Sequence, residues 1–477
     1  MSLTQKILLL NLLQLSFLLS IEDIPEIDKY YTPEIFSDMD LFNASSQFSW
    51  ERSSQSAHFF VFWENDDYSL FNIDIDSLLN KAEKIYDTNV NKIQMLTVNN
   101  NSSYLEKYKL QIYITTSIDW SFDASGFDNV IGALTISAQY LQTIDEHFSK
   151  FMAYVFQYQL FCDQILQGIT TETEKKTAFK YGYENSNDQN GFYIQTAQYL
   201  MLMDYPERMF TGSWFEDEWL KNNHRHFEHE YMTLGSYWLF YYLASLKGNE
   251  VIGNIWKNAQ YPEDAIQCYT RIYNNDNYET TREELFDYAL KMATYDIDGV
   301  RDYAKNYQGM YSTKFYYDSE GYYQIAYENC PGATGFNVIE LKVPSGNNKE
   351  ISVEFVGLKP GVNLANDDPG DYYESYYYSN DSYAGNVSHY NTVNKDNIGW
   401  RYGFVFHLKD DSRVYSRTFS DSKATESIIV LDSTKRLYFV VQGSPESYIQ
   451  CPWDDRETTD AQFPYKVRFT NTDLVDS

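Results

Sequence analysis

The chain has 477 residues, enough for two or three domains, and its 37 basic against 68 acidic side chains leave a formal net charge of −31. A surface this acidic repels phosphate backbones and anionic lipid, which argues against nucleic acid and polybasic membrane docking as partners. The 45 tyrosines and 30 phenylalanines supply much of the core and of the sheet propensity.

The first twenty residues hold one cation, Lys6, followed by a short apolar stretch that ends near Leu19. That layout is a secretory signal, and the stretch is too short to span a bilayer. Cleavage is expected after Ser20, because acidic Glu22, Asp23 and Glu26 follow at once. No later window offers a membrane-spanning apolar run, so the mature chain is expected to be secreted, soluble and without a transmembrane segment. Sequons at Asn43, Asn100, Asn101, Asn380 and Asn386 fit that compartment as glycosylation acceptors. The four cysteines, Cys162, Cys268, Cys330 and Cys451, form an even set that suggests disulfides there, with three connectivities open. Their wide spacing excludes a CxxC redox or zinc-knuckle motif.

Residues 21–50 read as a polar lead-in. From 51 to about 315, elements of both periods alternate. Residues 58–63 read as a strand, and Leu78, Leu79, Ala82, Ile85 and Tyr86 follow helical spacing with Asp76 as a cap. Residues 109–115 alternate like a half-buried strand, and 130–136 form another extended run. Helices are expected over 146–167, 191–203, 236–246 and 282–294, the first with Phe148, Met152, Val155, Cys162 and Leu166 on one face. From 316 to 477 the period changes to short alternating strands at 336–343, 350–356, 400–408, 427–431, 437–442 and 465–469. Turn residues separate them, as in an antiparallel β-sandwich, and a Tyr- and Asn-rich insertion covers 363–397. The fold class is therefore α+β, a mixed α/β and helical domain followed by a sandwich.

There is no GxSxG elbow, no HExxH and no phosphate loop. One histidine-rich run stands out, His224-Arg-His226-Phe-Glu-His229-Glu230. On a helix, His226, His229 and Glu230 would share a face at metal-ligand spacing, whereas the ordinary reading is a polar turn leading into the next helix. His58, His147, His389 and His407 are isolated. Asp296 and Asp298, and Asp367, Asp368 and Asp371, are acidic enough for calcium but complete no twelve-residue loop, and read as solvated turns.

A family resemblance is carried by Ala57-His-Phe-Phe-Val-Phe-Trp-Glu64, Val155-Phe-Gln-Tyr-Gln159, Gly235-Ser-Tyr-Trp238, Ile255-Trp256, Gly335-Phe-Asn-Val-Ile-Glu-Leu341, Trp400-Arg-Tyr402, Val440-Val-Gln-Gly-Ser-Pro445 and Phe463-Pro-Tyr465. In this order the chain resembles a group of uncharacterised secreted proteins that join a gluzincin-like zinc-peptidase domain to a C-terminal β-sandwich. In that group an HExxH directly precedes the phrase at 155–159. The resemblance therefore implies that Lys150 and Tyr154 stand at the two histidine positions and Phe151 at the general-base glutamate position. It also puts Ile194 where a downstream helix would supply the third ligand. Zinc needs three protein ligands and an open position for water, and this set supplies none.

The expectation is a catalytically inactive metallopeptidase-like protein that needs no cofactor and binds an extracellular protein or glycan. The alternative is an active metal-dependent hydrolase with a relocated site at His226, His229 and Glu230. A glycosidase using two of the many carboxylates is a third reading, for which no pair stands out.

Overall fold

The computed structural model describes residues 26–64, 73–116, 120–143, 145–169, 191–260, 262–360, 364, 394–451 and 460–475. The stretch at 1–20 expected to be a signal sequence, Glu22, Asp23, His389, the sequons at Asn380 and Asn386, the triad Asp367, Asp368 and Asp371, and most of the insertion at 363–397 lie outside them. The chain divides into two compact units, Met1–Glu172 and Thr173–Ser477.

The first unit is built on a five-stranded sheet. Its strands are β1 (Ser53–Gln55), β2 (Phe59–Trp63), β3 (Leu110–Thr115), β4 (Phe122–Phe127) and β5 (Ile131–Ser137), in the order β1-β2-β3-β5-β4. The inner pairs β2/β3 and β3/β5 are parallel, and the edges β1 and β4 are antiparallel. Helix α1 (Ile75–Tyr86) buries the expected Leu78, Leu79, Ala82, Ile85 and Tyr86, but Asp74 caps it, accepting from the Ser77 amide at 3.0 Å. Asp76 is instead in the first turn, where its charge suits the helix dipole. Helix α2 (Ala138–Thr143) is followed by α3 (Asp145–Leu166).

Helix α3 comes close to the sheet at Gly126 and Gly132, which face each other across β4 and β5. A Cβ on Gly132 would lie 2.8 Å from the Val155 carbonyl, and the Gly132 amide donates to Gln159 at 2.8 Å. Only glycine allows that approach. Leu166, expected on the buried face, is exposed where the helix ends.

The far face of the sheet is covered by the lead-in. Tyr30 and Phe48 are buried there against Phe60, Phe62 and Tyr113, with Phe36 and Trp50 packed around them. The segment expected to be polar thus contributes a layer of rings, because sparse aromatics suffice to cover a sheet face when hydroxyls and amides find partners. The same cover explains why β3 is buried on both faces rather than half-buried. Its polar members are satisfied, Gln111 donating to the Tyr31 carbonyl at 2.6 Å and accepting from Tyr113 at 2.9 Å.

The second unit begins with helices α4 (Gly191–Asp204), α5 (Trp238–Lys247), α6 (Glu250–Asn258), α7 (Ala265–Asn274) and α8 (Tyr278–Met292). Trp238 and Trp256 are fully buried among them, and the Trp256 indole donates to Thr196 at 3.0 Å. Two antiparallel sheets follow. One runs β11 (Arg413–Tyr415), β10 (Trp400–Leu408), β13 (Thr434–Gly443), β8 (Phe336–Leu341). The other runs β12 (Lys423–Ile429), β9 (Glu350–Gly357), β14 (Tyr465–Thr470), β7 (Tyr323–Ile325), β6 (Phe315–Tyr317). Their inner faces meet in one core, with Phe355 stacked on Tyr402 at 4.1 Å, as a sandwich requires.

The boundary expected near 315 falls inside this unit. Helix α8 is tied to the sandwich by Arg282 to the Ser444 carbonyl at 2.9 Å, by Gln442 to the Leu285 carbonyl at 3.1 Å, and by an Arg401–Glu279 ion pair. Among the described residues, no helix is long and apolar enough to cross a membrane.

Candidate functional site

The resemblance directs attention to α3. Phe151 is 3% exposed, its ring stacked on Phe122 at 3.8 Å and edge-on to Tyr140 at 5.2 Å. Lys150 and Tyr154 are half-buried on the same helix. Ile194 is half-buried on α4, in the second unit.

The histidine-rich run is the other candidate. It is not a helix. Residues 223–229 form successive turns, with Arg225 N–H bonded to the Asn222 carbonyl and His229 N–H to the His226 carbonyl. Glu230–Met232 is a single 3₁₀ turn capped by His229, so His226, His229 and Glu230 share no helical face. The ordinary reading of the run, a polar turn, describes it.

Hydrogen bonding then decides what the imidazoles can do. His226 Nδ1 accepts from the Glu228 amide and His229 Nδ1 from the Tyr231 amide, each at 3.0 Å. A neutral ring that accepts at Nδ1 carries its proton on Nε2. His226 donates that proton to the Tyr448 hydroxyl at 3.0 Å, and His229 Nε2 lies between Asp460 at 3.0 Å and the Arg225 guanidinium at 3.2 Å. Neither ring keeps a lone pair for a metal. Burial holds the His226 pKa down to about 3, so the ring stays neutral. Tyr448 passes the chain of bonds on to Asp264 at 2.6 Å, and burial raises that carboxyl to about 6. Among the described residues, no group of three or more His, Cys, Asp and Glu is arranged to hold a metal ion.

A small cavity of about 30 Å³ lies beside this loop, lined among others by His224, Arg225, Cys330, Cys451 and Asp460. It does not make a thiol nucleophile. Cys451 Sγ is 3.8 Å from Asp460, and burial together with Asp460, Glu230 and Glu228 pushes its pKa well above the ordinary value. A reactive thiolate needs the opposite, a cationic surrounding. His229 is oriented by Asp460 and its own backbone rather than by sulfur.

The expected disulfides do not form, since Cys162, Cys268, Cys330 and Cys451 all remain thiols. Cys162 is buried on α3, and Cys268 is buried on α7 with its thiol donating to the Ile255 carbonyl at 3.5 Å. Cys330 and Cys451 line the same cavity and remain unbridged. A core of this extent holds without staples.

The other acidic and histidine candidates have ordinary surroundings. Asp296 and Asp298 both pair with Arg301, which satisfies the charge a calcium ion would otherwise meet. His58 pairs with Glu83 and His407 with Asp411, each at 2.6 Å, and His147 sits beside Phe151. Asn43, Asn100 and Asn101 are exposed, the last two at positive φ in a turn. Sequence reasoning missed Tyr448, Asp264 and Asp460, the partners that fix the imidazoles. Tyr448 and Asp460 lie 222 and 231 residues from their imidazoles in the chain, and Asp264 lies 184 residues from Tyr448, and no local pattern marks them.

No curated protein and no solved structure matches the chain significantly. A family profile does match, over residues 23–476, which covers both units, the histidine loop and the sandwich, and the chain therefore belongs to the family described as "Family of unknown function (DUF6055)".

Proposed function

We propose that this protein is a secreted, catalytically silent relative of gluzincin-like zinc peptidases that acts by binding an extracellular protein or glycan. The observation that carries the reading is the setting of Phe151. A working metallopeptidase helix needs a carboxylate at that position to take a proton from metal-bound water. Here a phenyl ring is locked between Phe122 and Tyr140. A buried ring accepts no proton, and an aromatic cluster disfavours an ion beside it.

The alternative, a hydrolase using His226, His229 and Glu230, has against it the commitment of both Nδ1 lone pairs to backbone amides. Secretion is supported by the Lys6-led apolar stretch and by the exposure of Asn43, Asn100 and Asn101.

Elemental mass spectrometry on the full-length protein, purified without chelators, tests the reading. The expected result is zinc well below one ion per chain. Restoring the α3 part of the motif with Lys150→His, Phe151→Glu and Tyr154→His is expected to raise the zinc content measurably. Tight zinc in the wild type that disappears with His226→Ala would overturn the proposal in favour of the relocated site.

A further inference from the structure

In the first unit a cavity of about 220 Å³ opens between Lys29, the start of β2, the end of α1 and residues 105–109. None of its lining belongs to the α3 positions or to the histidine loop. Its floor is a pair of parallel rings, His58 stacked on Tyr86 at 3.7 Å with 10° between planes. Glu83 fixes the imidazole, accepting from the His58 amide at 2.8 Å and meeting Nδ1 at 2.6 Å. The His58 side chain is nonetheless 42% exposed. With Tyr86 over one face and Glu83 at one edge, that exposure belongs to the other face and the Nε2 edge.

Three lysines surround this platform, in a chain whose net charge is −31. Lys109 Nζ is held against the Ser56 carbonyl at 2.8 Å and Gln55 at 2.9 Å, so its position is set by the fold. Glu26 bridges it to Lys29, at 2.5 Å and 3.1 Å, while remaining 46% exposed. The protein's own carboxylate therefore already rests between two ammonium groups at this place. Lys107 lies 4.6 Å from the centre of the Tyr108 ring and makes no ion pair among the described residues. Glu106, which also lines the cavity, has its carboxylate engaged by the amides of Asn101, Ser102 and Ser103.

We propose that this cavity binds a terminal acidic sugar, a pyranose carrying a carboxylate or sulfate. The sugar's C–H face lies on the open imidazole face, and its anion is held by Lys107 and by Lys29 as Glu26 swings away. Planar rings recognise apolar ring faces, and the ammonium groups recognise the anion. The acidic remainder of the surface repels a long polyanion, so a short or chain-terminal sugar is the ligand that fits.

The inference is independent of the peptidase-like reading and is tested separately, by calorimetry on the full-length protein at low salt. Probes are a hyaluronan tetrasaccharide, a sulfated chondroitin tetrasaccharide, neutral chitotetraose and inorganic sulfate. One or both acidic sugars are expected to bind, weakening as salt screens the lysines, and their ratio distinguishes carboxylate from sulfate. Lys107→Glu is expected to weaken binding about tenfold, and Glu26→Gln to tighten it about threefold by removing the internal competitor. Unchanged melting of both variants excludes unfolding as the cause. Chitotetraose binding as tightly as the acidic sugars would overturn the anion's role, and sulfate alone matching them would overturn the platform's. Binding indifferent to Lys107→Glu, or no binding of either acidic sugar, would overturn the site.

Discussion

Replacing Gly335 by alanine is expected to destabilise the second unit by about 3 kcal/mol, at the upper end of the usual overpacking cost. The added Cβ would lie 1.9 Å from the His224 carbonyl oxygen and 2.5 Å from that of Arg225. Both are backbone atoms, so no side chain can turn aside to relieve the clash. Nor can the segments part cheaply. The Gly332 amide donates to the His224 carbonyl at 2.7 Å, the Phe336 amide to the Asn223 carbonyl at 3.1 Å, and the Asn223 side chain to the Phe336 carbonyl at 2.8 Å. The histidine loop is thus zipped onto the start of β8. Thermal melting reads the effect, with Gly346→Ala as control, since Gly346 has open space around its Cβ and only a positive φ to lose. Equal melting of the two variants would show that the loop and strand are not held as tightly as these distances require.

Asp163→Asn is expected to remove a pH dependence from the first unit and to stabilise it near neutrality. Asp163 is buried on α3, where its Oδ1 accepts from the Tyr104 amide at 3.1 Å and from Gln159 at 2.9 Å. Burial raises its carboxyl from the ordinary 3.8 to about 6, against the lowering effect of hydrogen bonds from Ser103, Gln159 and Tyr104. The folded pKa is above the unfolded one, so the native state holds the proton more tightly. The stabilisation is fully present below about pH 4 and is lost as pH rises through about 6. About two pKa units correspond to roughly 3 kcal/mol lost between pH 4 and pH 7. Asparagine keeps the acceptor and carries no charge, so its stability stays flat across that window. Asp264 in the second unit is also raised to about 6 and keeps its own slope. The comparison therefore needs a local probe, such as hydrogen exchange of the α3 and β3 amides at pH 4.5 and 7.5. A wild-type slope in the variant would assign the titration elsewhere.

Elements whose partners lie within a few residues were legible in the chain. The apolar spacing of α1 named its buried face residue by residue, and β10 was bounded at Trp400 and Leu408, because helix and strand periods are local properties of the backbone. The absence of any HExxH, and the phenylalanine at position 151, were equally plain, being matters of residue identity. Short strands such as β6, β7 and β11 were not legible, since three residues carry no period. Nor was the role of the lead-in, whose rings count as a layer only once a sheet is present for them to cover. The same holds for the imidazoles. Residue type allowed His226 and His229 to be metal ligands, and only the fold, by turning Nδ1 to the backbone and bringing Tyr448 and Asp460 to Nε2, spent their lone pairs and protons elsewhere. Composition and local pattern determined which groups this protein possesses. Tertiary structure decided which of them remain available, because hydrogen bonds and burial are set by neighbours hundreds of residues away in the chain.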